Sequence, residues 1–464
     1  MTMTKKKKTI DMTKGPILGP LILFILPLIG GSIFQQLYNT VDFIFVGNFL
    51  DKTAAAAVGA SATLINCTIG LFTGIAVGTT VVAARAIGAG DQKKAEKTIH
   101  TAVTLGIIGG IVLMAAGILF SPGILHLLNT PESVMPQAIL YIRIYLISLP
   151  MLFFYNIVSG GLRAEGDSST PFKVLVICGL LNVAFDAFFI VVVKMGVAGV
   201  AIATTLTQSL SALMIGIFAS RKNRTIRFSF KKLGIDGTLL KGVLRIGLPA
   251  GIQTVIITLS NVIVQYFIND FGETAVAAFA TYYKVENLIF LSILAVGQAS
   301  TTFAGQNMGA GQYKRIRKGS ITMLCLGAGI TIIVAGLILL FPNVVFRWFM
   351  KDQDVVANAI SLAMVSFPFY WIYPAIEVFG GAIRSLGYSI TSMIVIIINL
   401  CAVRIGLLSL FSRTIHTMRS LAAVYPITWA IAAISFTVIF FIVISRHIKK
   451  HEPLAKSQEK EIVS

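Results

Sequence analysis

The chain alternates long apolar runs with short polar breaks. Twelve runs reach spanning length, at roughly 17–48, 54–84, 97–121, 135–158, 172–193, 196–220, 243–269, 275–304, 319–346, 355–380, 388–411 and 420–445. A helix needs ~20 apolar residues to cross the hydrocarbon core, so each run predicts a transmembrane helix. Most runs are longer than that, so several helices should tilt, bend or protrude. The pattern predicts an all-α integral membrane protein.

Composition sharpens this picture. Of 464 residues, 56% are hydrophobic and 12% charged, against about 25% charged in a soluble domain. The net charge of +19 raises nucleic acid as a partner, but its distribution argues for topology. Six cations (Lys52, Lys194, Arg347, Lys351, Arg413, Arg419) fall on one side of the twelve runs and three (Arg143, Lys284, Arg404) within them. All the others lie on the side that carries both termini, which makes that side cytoplasmic by the positive-inside rule. The expected location is the plasma membrane, multi-pass, with a lipid bilayer and no nucleic acid as partner.

The two halves repeat. AARAIGAGDQKKAEK (83–97) answers AGQNMGAGQYKRIRK (304–318), and both GLRAEGDS (161–168) and AIRSLGYS (382–389) belong to a G-x-x-R-x-x-G-x-S pattern starting at Gly160 and Gly381. Pro27 and Asn39 match Pro249 and Asn261. Six spans return the chain to its starting side, so the copies are parallel. The expectation is two six-helix bundles related by a pseudo-two-fold axis along the membrane normal. The expected division is a first lobe at 1–220, a cytoplasmic linker at 221–242, a second lobe at 243–446 and a cytoplasmic tail at 447–464. Two lobes with a cleft between them suit alternating access.

Ionisable side chains cost about 2.5–3.5 kcal/mol at the centre of a membrane helix. Only Asp42, Asp186, Glu286 and Glu377 sit well within spans. Gln35, Asn39 and Asp42 are spaced i, i+4, i+7 and share one helix face; Asn182 and Asp186 share another. A carboxyl group facing a cavity between helices can gain and lose a proton, and carboxylates with amide and hydroxyl oxygens also form a hard-donor set for Na⁺. In the second half, Asn261 and Gln265 share a face, whereas Lys284 and Glu286 point apart. Lys284 is a candidate partner for Glu377, and Arg404 also needs one. Aromatic rings such as Tyr38 and Tyr282 offer cation–π faces to organic cations. The candidate substrate or cavity set is Gln35, Gln36, Tyr38, Asn39, Asn261, Gln265, Tyr282, Lys284, Glu286, Glu377 and Arg404. Pro27, inside the first span, is a candidate hinge because it removes a backbone hydrogen bond.

The order and spacing of L-P (26–27), Q-Q-L-Y-N-T-x-D (35–42), V-G-N-F (46–49), G-A-G-D (88–91), G-x-x-R-x-x-G-D-S-x-x-P (160–171), N-x-x-x-D (182–186) and G-V-A-G-x-A-x-A-T (196–204) resemble the multidrug and toxic compound extrusion (MATE) family, bacterial type. The resemblance implies a cation-coupling site in the first lobe at Asp42, Asn182, Asp186 and Thr204, with Na⁺ as a possible metal there and H⁺ as the other coupling ion. It further implies an antiporter that exports amphipathic, mostly cationic organic compounds. No cofactor is expected, and the state expected is a monomer. The chain has no G-x-x-x-x-G-K-[ST], H-E-x-x-H or G-x-S-x-G motif, so neither an ATPase nor a hydrolase site is visible and it is read as no enzyme. The alternatives are a flippase of lipid-linked precursors, which would want more cations in its cleft, and an exporter of one endogenous metabolite.

Overall fold

The computed structural model describes residues 9–463 apart from 128, 222, 223 and 225. The chain runs as α1 (Leu18–Phe49), α2 (Lys52–Gly88), α3 (Gln92–Leu127), α4 (Met135–Leu146), α5 (Leu149–Ala164), α6 (Ser169–Asp186) and α7 (Val197–Ala219). It continues as α8 (Gly237–Asn269), α9 (Glu273–Gly309), α10 (Tyr313–Leu340), the short α11 (Pro342–Arg347), α12 (Gln353–Ser366), α13 (Tyr373–Ser385), α14 (Ser389–Ile396), α15 (Arg404–Thr414) and α16 (Met418–Val463). Among the described residues eleven segments are long and apolar enough to cross a membrane, and the bent pair α4–α5, counted as one span, makes a twelfth. All twelve expected spans are therefore helical.

Four spans depart from a straight α-helix for local reasons. The α4–α5 pair bends by 45° just before Pro150, which has no N–H to continue the ladder. Pro368 lies in a 3₁₀ stretch, Phe367–Ile372, between α12 and α13. The tenth span therefore tightens where a donor is missing. α6 and α14 each run into a π-helical stretch, at Ala187–Val192 and Ile397–Val403. In the first, Val193 N donates to Phe188 O at 2.9 Å.

The chain forms two compact units. The first takes in Leu26–Ile87, Asp91–Gly251 and the described part of Met1–Asp11. α2 and α8 meet there through two G-x-x-x-G faces, Gly74–Gly78 and Gly247–Gly251. A Cβ on Gly74 would lie 2.2 Å from Gly251 N and 2.4 Å from Gly247 O. Such small-residue crossings drive helix association where lipid removes the hydrophobic incentive. Phe72 stacks on Phe153 with ring centroids 3.7 Å apart.

The segment expected as a linker is laid along α3. Ser229 N donates to His100 Nε2 at 3.0 Å, Gly234 N to Thr104 Oγ1 at 3.1 Å and Asp236 N to Thr101 Oγ1 at 3.2 Å. Phe228 is buried among His100, Phe154 and Phe230. Arg224 pairs with the buried Asp167, donates to Thr170 Oγ1 at 2.9 Å and lies 3.7 Å from Glu165. Removing one partner of a buried pair leaves the other charge uncompensated, so Asp167→Asn should cost about 3 kcal/mol. A thermal-melt comparison in detergent checks this. An unchanged midpoint would show that the pair carries no stability.

The second unit takes in Met12–Ile25, Gly88–Gly90 and Ile252–Ser464. α9 and α13 are joined by Ser300 Oγ to Val378 O at 2.7 Å and Ser385 Oγ to Thr301 O at 2.8 Å. The segment ahead of α1 is clasped by polar ends of α9 and α10. Gln306 Oε1 accepts from Met12 N at 3.1 Å, and Asn307 Nδ2 donates to Met12 O at 3.1 Å. The Arg315 guanidinium donates to the carbonyls of Met12, Lys14 and Gly15 at 3.1, 3.1 and 2.8 Å. Two of the points where the chain passes between units lie well inside helices, at Ile25/Leu26 in α1 and Gly251/Ile252 in α8. Pro27 and Pro249 stand within two residues of those points.

Candidate functional site

In the first unit, α1 carries Asp42 and α6 carries Asn182 and Asp186. The polar spacing read from the sequence brings them together. With its amide nitrogen turned towards α1, Asn182 donates to both Asp42 oxygens at 3.2 Å. Asp186 lies within electrostatic and hydrogen-bonding reach of Asp42. Asp186 is 0% exposed and Asn182 2%. Both Asp186 carboxyl oxygens are buried and receive no N–H or O–H donor among the described residues, so a proton shared with Asp42 is what would join the two carboxyls. Tyr141 lies within electrostatic reach of both carboxyls. It was not among the candidates, although Tyr141 and Tyr145 at i, i+4 on an apolar helix were a visible signal.

A buried carboxylate with two unsatisfied oxygens costs several kcal/mol. Here no Lys or Arg pairs with it among the described residues. The arrangement can hold a proton on one carboxyl or a cation between the two. Asp186 is also the last α-helical residue before the π turn Ala187–Val192, a distortion that recurs at functional positions.

Of the other first-half candidates, Tyr38 lies within electrostatic reach of Asp42. Thr204 Oγ1 donates to Val200 O of its own helix at 3.0 Å. Gln35 and Asn39 are exposed on α1, and Gln36 and Tyr38 are half-buried.

The second unit collects a different cluster. Glu286 accepts from the Tyr370 hydroxyl and from the Tyr282 hydroxyl at 3.3 Å. Tyr282 also meets Ser366 Oγ at 2.8 Å. Glu377 has Arg384, on its own helix, at 4.0 Å. Lys284 itself is exposed. Arg404 is 6% exposed and lies over the Tyr425 ring, 4.8 Å from its centroid. The aromatic face is thus one partner of the side chain that the sequence left without one, and Glu286 lies within its electrostatic reach. Asn261 is exposed, and Gln265 donates to Asn269 Oδ1 at 2.8 Å within α8. Among the described residues no group of three or more His, Cys, Asp or Glu forms a metal cluster.

The chain matches the family model MatE twice, over residues 27–188 and 249–410. It is 31% identical over 407 residues to the "Probable multidrug resistance protein YpnP" of Bacillus subtilis, covering 87% of this chain and 91% of that protein. It is 24% identical over 322 residues to a Shewanella oneidensis protein named "FAD transporter", covering 68% and 70%. Its fold matches the outward-facing conformation of a multidrug resistance MATE family transporter with a TM-score of 0.90, at 23% identity, over 97% of this chain and 100% of that one. The two matched stretches start 222 residues apart, in register with the internal repeat. The chain thus belongs to the multidrug and toxic compound extrusion family, whose members are ion-coupled membrane transporters.

Proposed function

We propose that the protein is a secondary active antiporter of the plasma membrane that exports amphipathic, mostly cationic organic compounds in exchange for an inward coupling cation. Both termini lie in the cytoplasm, as the charge asymmetry argues. The observation that carries this reading is the buried Asp186 beside Asp42, its two oxygens receiving no N–H or O–H donor among the described residues. Such a pair needs a proton or a metal cation, and losing it changes which packing of α1 and α6 is stable.

The coupling ion of this proposal is H⁺. With the Asn182 N–H₂ turned towards Asp42, one carboxyl acts as an ionised acceptor and the other takes the proton. With the amide oxygen towards Asp42 instead, Asp42, Asn182, Asp186 and Thr204 would suit Na⁺. Pro27, beside the point where α1 leaves one unit for the other, is the hinge of this scheme.

The test is uptake of a fluorescent cationic dye by everted vesicles, with H⁺ and Na⁺ gradients imposed separately. Accumulation under the H⁺ gradient alone is expected. Accumulation driven by Na⁺ alone would overturn the choice of ion. No accumulation under either gradient, with several dyes, would move a single endogenous metabolite to the front. The relative named as a FAD transporter is what favours that second reading.

A further inference from the structure

We propose that the second unit contains an organic-cation site whose aromatic face is occupied by the protein's own Arg404. This inference rests on the reading that the cargo is an organic cation, and it names where that cation is held.

The first observation is an unusual solvation of charge. A buried guanidinium normally meets a carboxylate in a bidentate fork. Among the described residues Arg404 has no ion pair within 4 Å, and its buried Nε has no hydrogen-bond partner. What it has is the Tyr425 ring, with the Glu286 carboxyl group within electrostatic reach. The guanidinium thus occupies the place of a cation between an aromatic face and a carboxyl group.

The second observation is what surrounds that ring. The Tyr425 hydroxyl meets the Tyr283 hydroxyl at 2.6 Å. Trp429 lies 6.0 Å from Tyr425, 4.4 Å from Tyr370 and 5.6 Å from Tyr373 between ring centroids. Tyr370 in turn donates to Glu286. A continuous aromatic wall therefore runs from Arg404 to a carboxyl group. Aromatic faces with one nearby carboxylate are the chemistry that recognises quaternary and aromatic ammonium or phosphonium ions. Tyr283 and Glu286 are half-buried, so the wall has an open edge.

The third observation comes from the repeat. At the offset of 222 between the two matched stretches, Arg404 and Tyr425 correspond to Asn182 and Ala203 of the first half. The guanidinium and its ring thus have no counterpart in the first half. Arg404 is also the first residue after the π stretch Ile397–Val403. The extra residue in that turn changes the direction in which Arg404 leaves the helix.

In this arrangement Arg404 is a stand-in for cargo. An arriving monocation takes the Tyr425 face while its charge is balanced by Glu286, and Arg404 swings aside. The return of Arg404 to the ring expels the cation. Arg404 thereby weakens binding and hastens release.

The experiment measures tetraphenylphosphonium binding to the purified full chain by calorimetry, with no gradient present. Arg404→Gln should bind about ten-fold more tightly than wild type, the equivalent of a ~1.4 kcal/mol cation–π contact. Arg404→Lys, with a shorter and more mobile cation, should gain about three-fold and serves if the Gln variant fails to fold. Both gains should vanish when Tyr425→Leu is added and persist when Asp42→Asn is added. Equal or weaker binding in the folded Arg404 variants would overturn the proposal, as would a gain that survives Tyr425→Leu. Because no ion gradient is involved, failure here leaves the antiport reading to its own assay.

Discussion

Vesicles carrying Asp42→Asn are expected to accumulate no more dye than vesicles without the transporter, with the variant present in the membrane at wild-type abundance. The size of the effect follows from what the substitution removes. Asn cannot take up or release the coupling ion, so the driving gradient loses its attachment point. It also leaves a single acceptor oxygen for the Asn182 N–H₂, which, when turned towards α1, donates to both Asp42 oxygens at 3.2 Å. Asp186→Asn should have the same outcome, because Asp186 holds the unsatisfied half of the pair. Thr204→Val provides the contrast. Its hydroxyl already donates to Val200 O at 3.0 Å, so the change should reduce transport less than about three-fold, since ~0.6 kcal/mol is all that a back-bonded hydroxyl commonly contributes. Full dye accumulation by Asp42→Asn would remove the carboxyl pair from the mechanism.

The second large effect lies in the fold. Gly74→Val should prevent recovery of monodisperse protein. Its first added carbon would sit 2.2 Å from a backbone nitrogen and 2.4 Å from a backbone oxygen of α8. Backbone atoms cannot rotate away as a side-chain tip can, so α2 and α8 would have to separate along the whole crossing. That costs about 3 kcal/mol or more by the scale of overpacked cores. Even Gly74→Ala should melt well below wild type. Gly329→Ala is the control: no atom lies within 4 Å of its would-be Cβ, so there the better helix propensity of Ala, up to ~1 kcal/mol, has nothing opposing it. Melting curves and gel-filtration profiles of the three variants decide the matter. A well-behaved Gly74→Val would mean that the two helices do not meet through these glycines.

Different parts of this molecule were legible to different degrees. The twelve helices were readable because apolar run length is a one-dimensional property that the bilayer imposes. Asp42, Asn182 and Asp186 were readable because i, i+4 spacing fixes a shared face before any tertiary contact is known. The partner of Arg404 was not, since Tyr425 lies on a later helix and an aromatic face leaves no charge pattern to search for. The two G-x-x-x-G faces were present in the sequence, but nothing local says that Gly74 must meet Gly251. The π stretches were hidden for a similar reason: one extra residue in a turn is settled by packing, not by propensity. Pro150 did mark the break in the fourth span. The apolar run there read straight across it, and run length says nothing about direction.

The unit boundaries inside α1 and α8 have a consequence for dissecting the molecule. Met12–Ile25 belongs to the second unit, and the stretch leading to Gly251, its counterpart in the repeat, belongs to the first. Cut at residue 220, the first half would lack Gly237–Gly251 of its own unit and carry Met12–Ile25 of the other. The repeat boundary in the sequence is therefore not the place where the molecule divides into self-contained pieces.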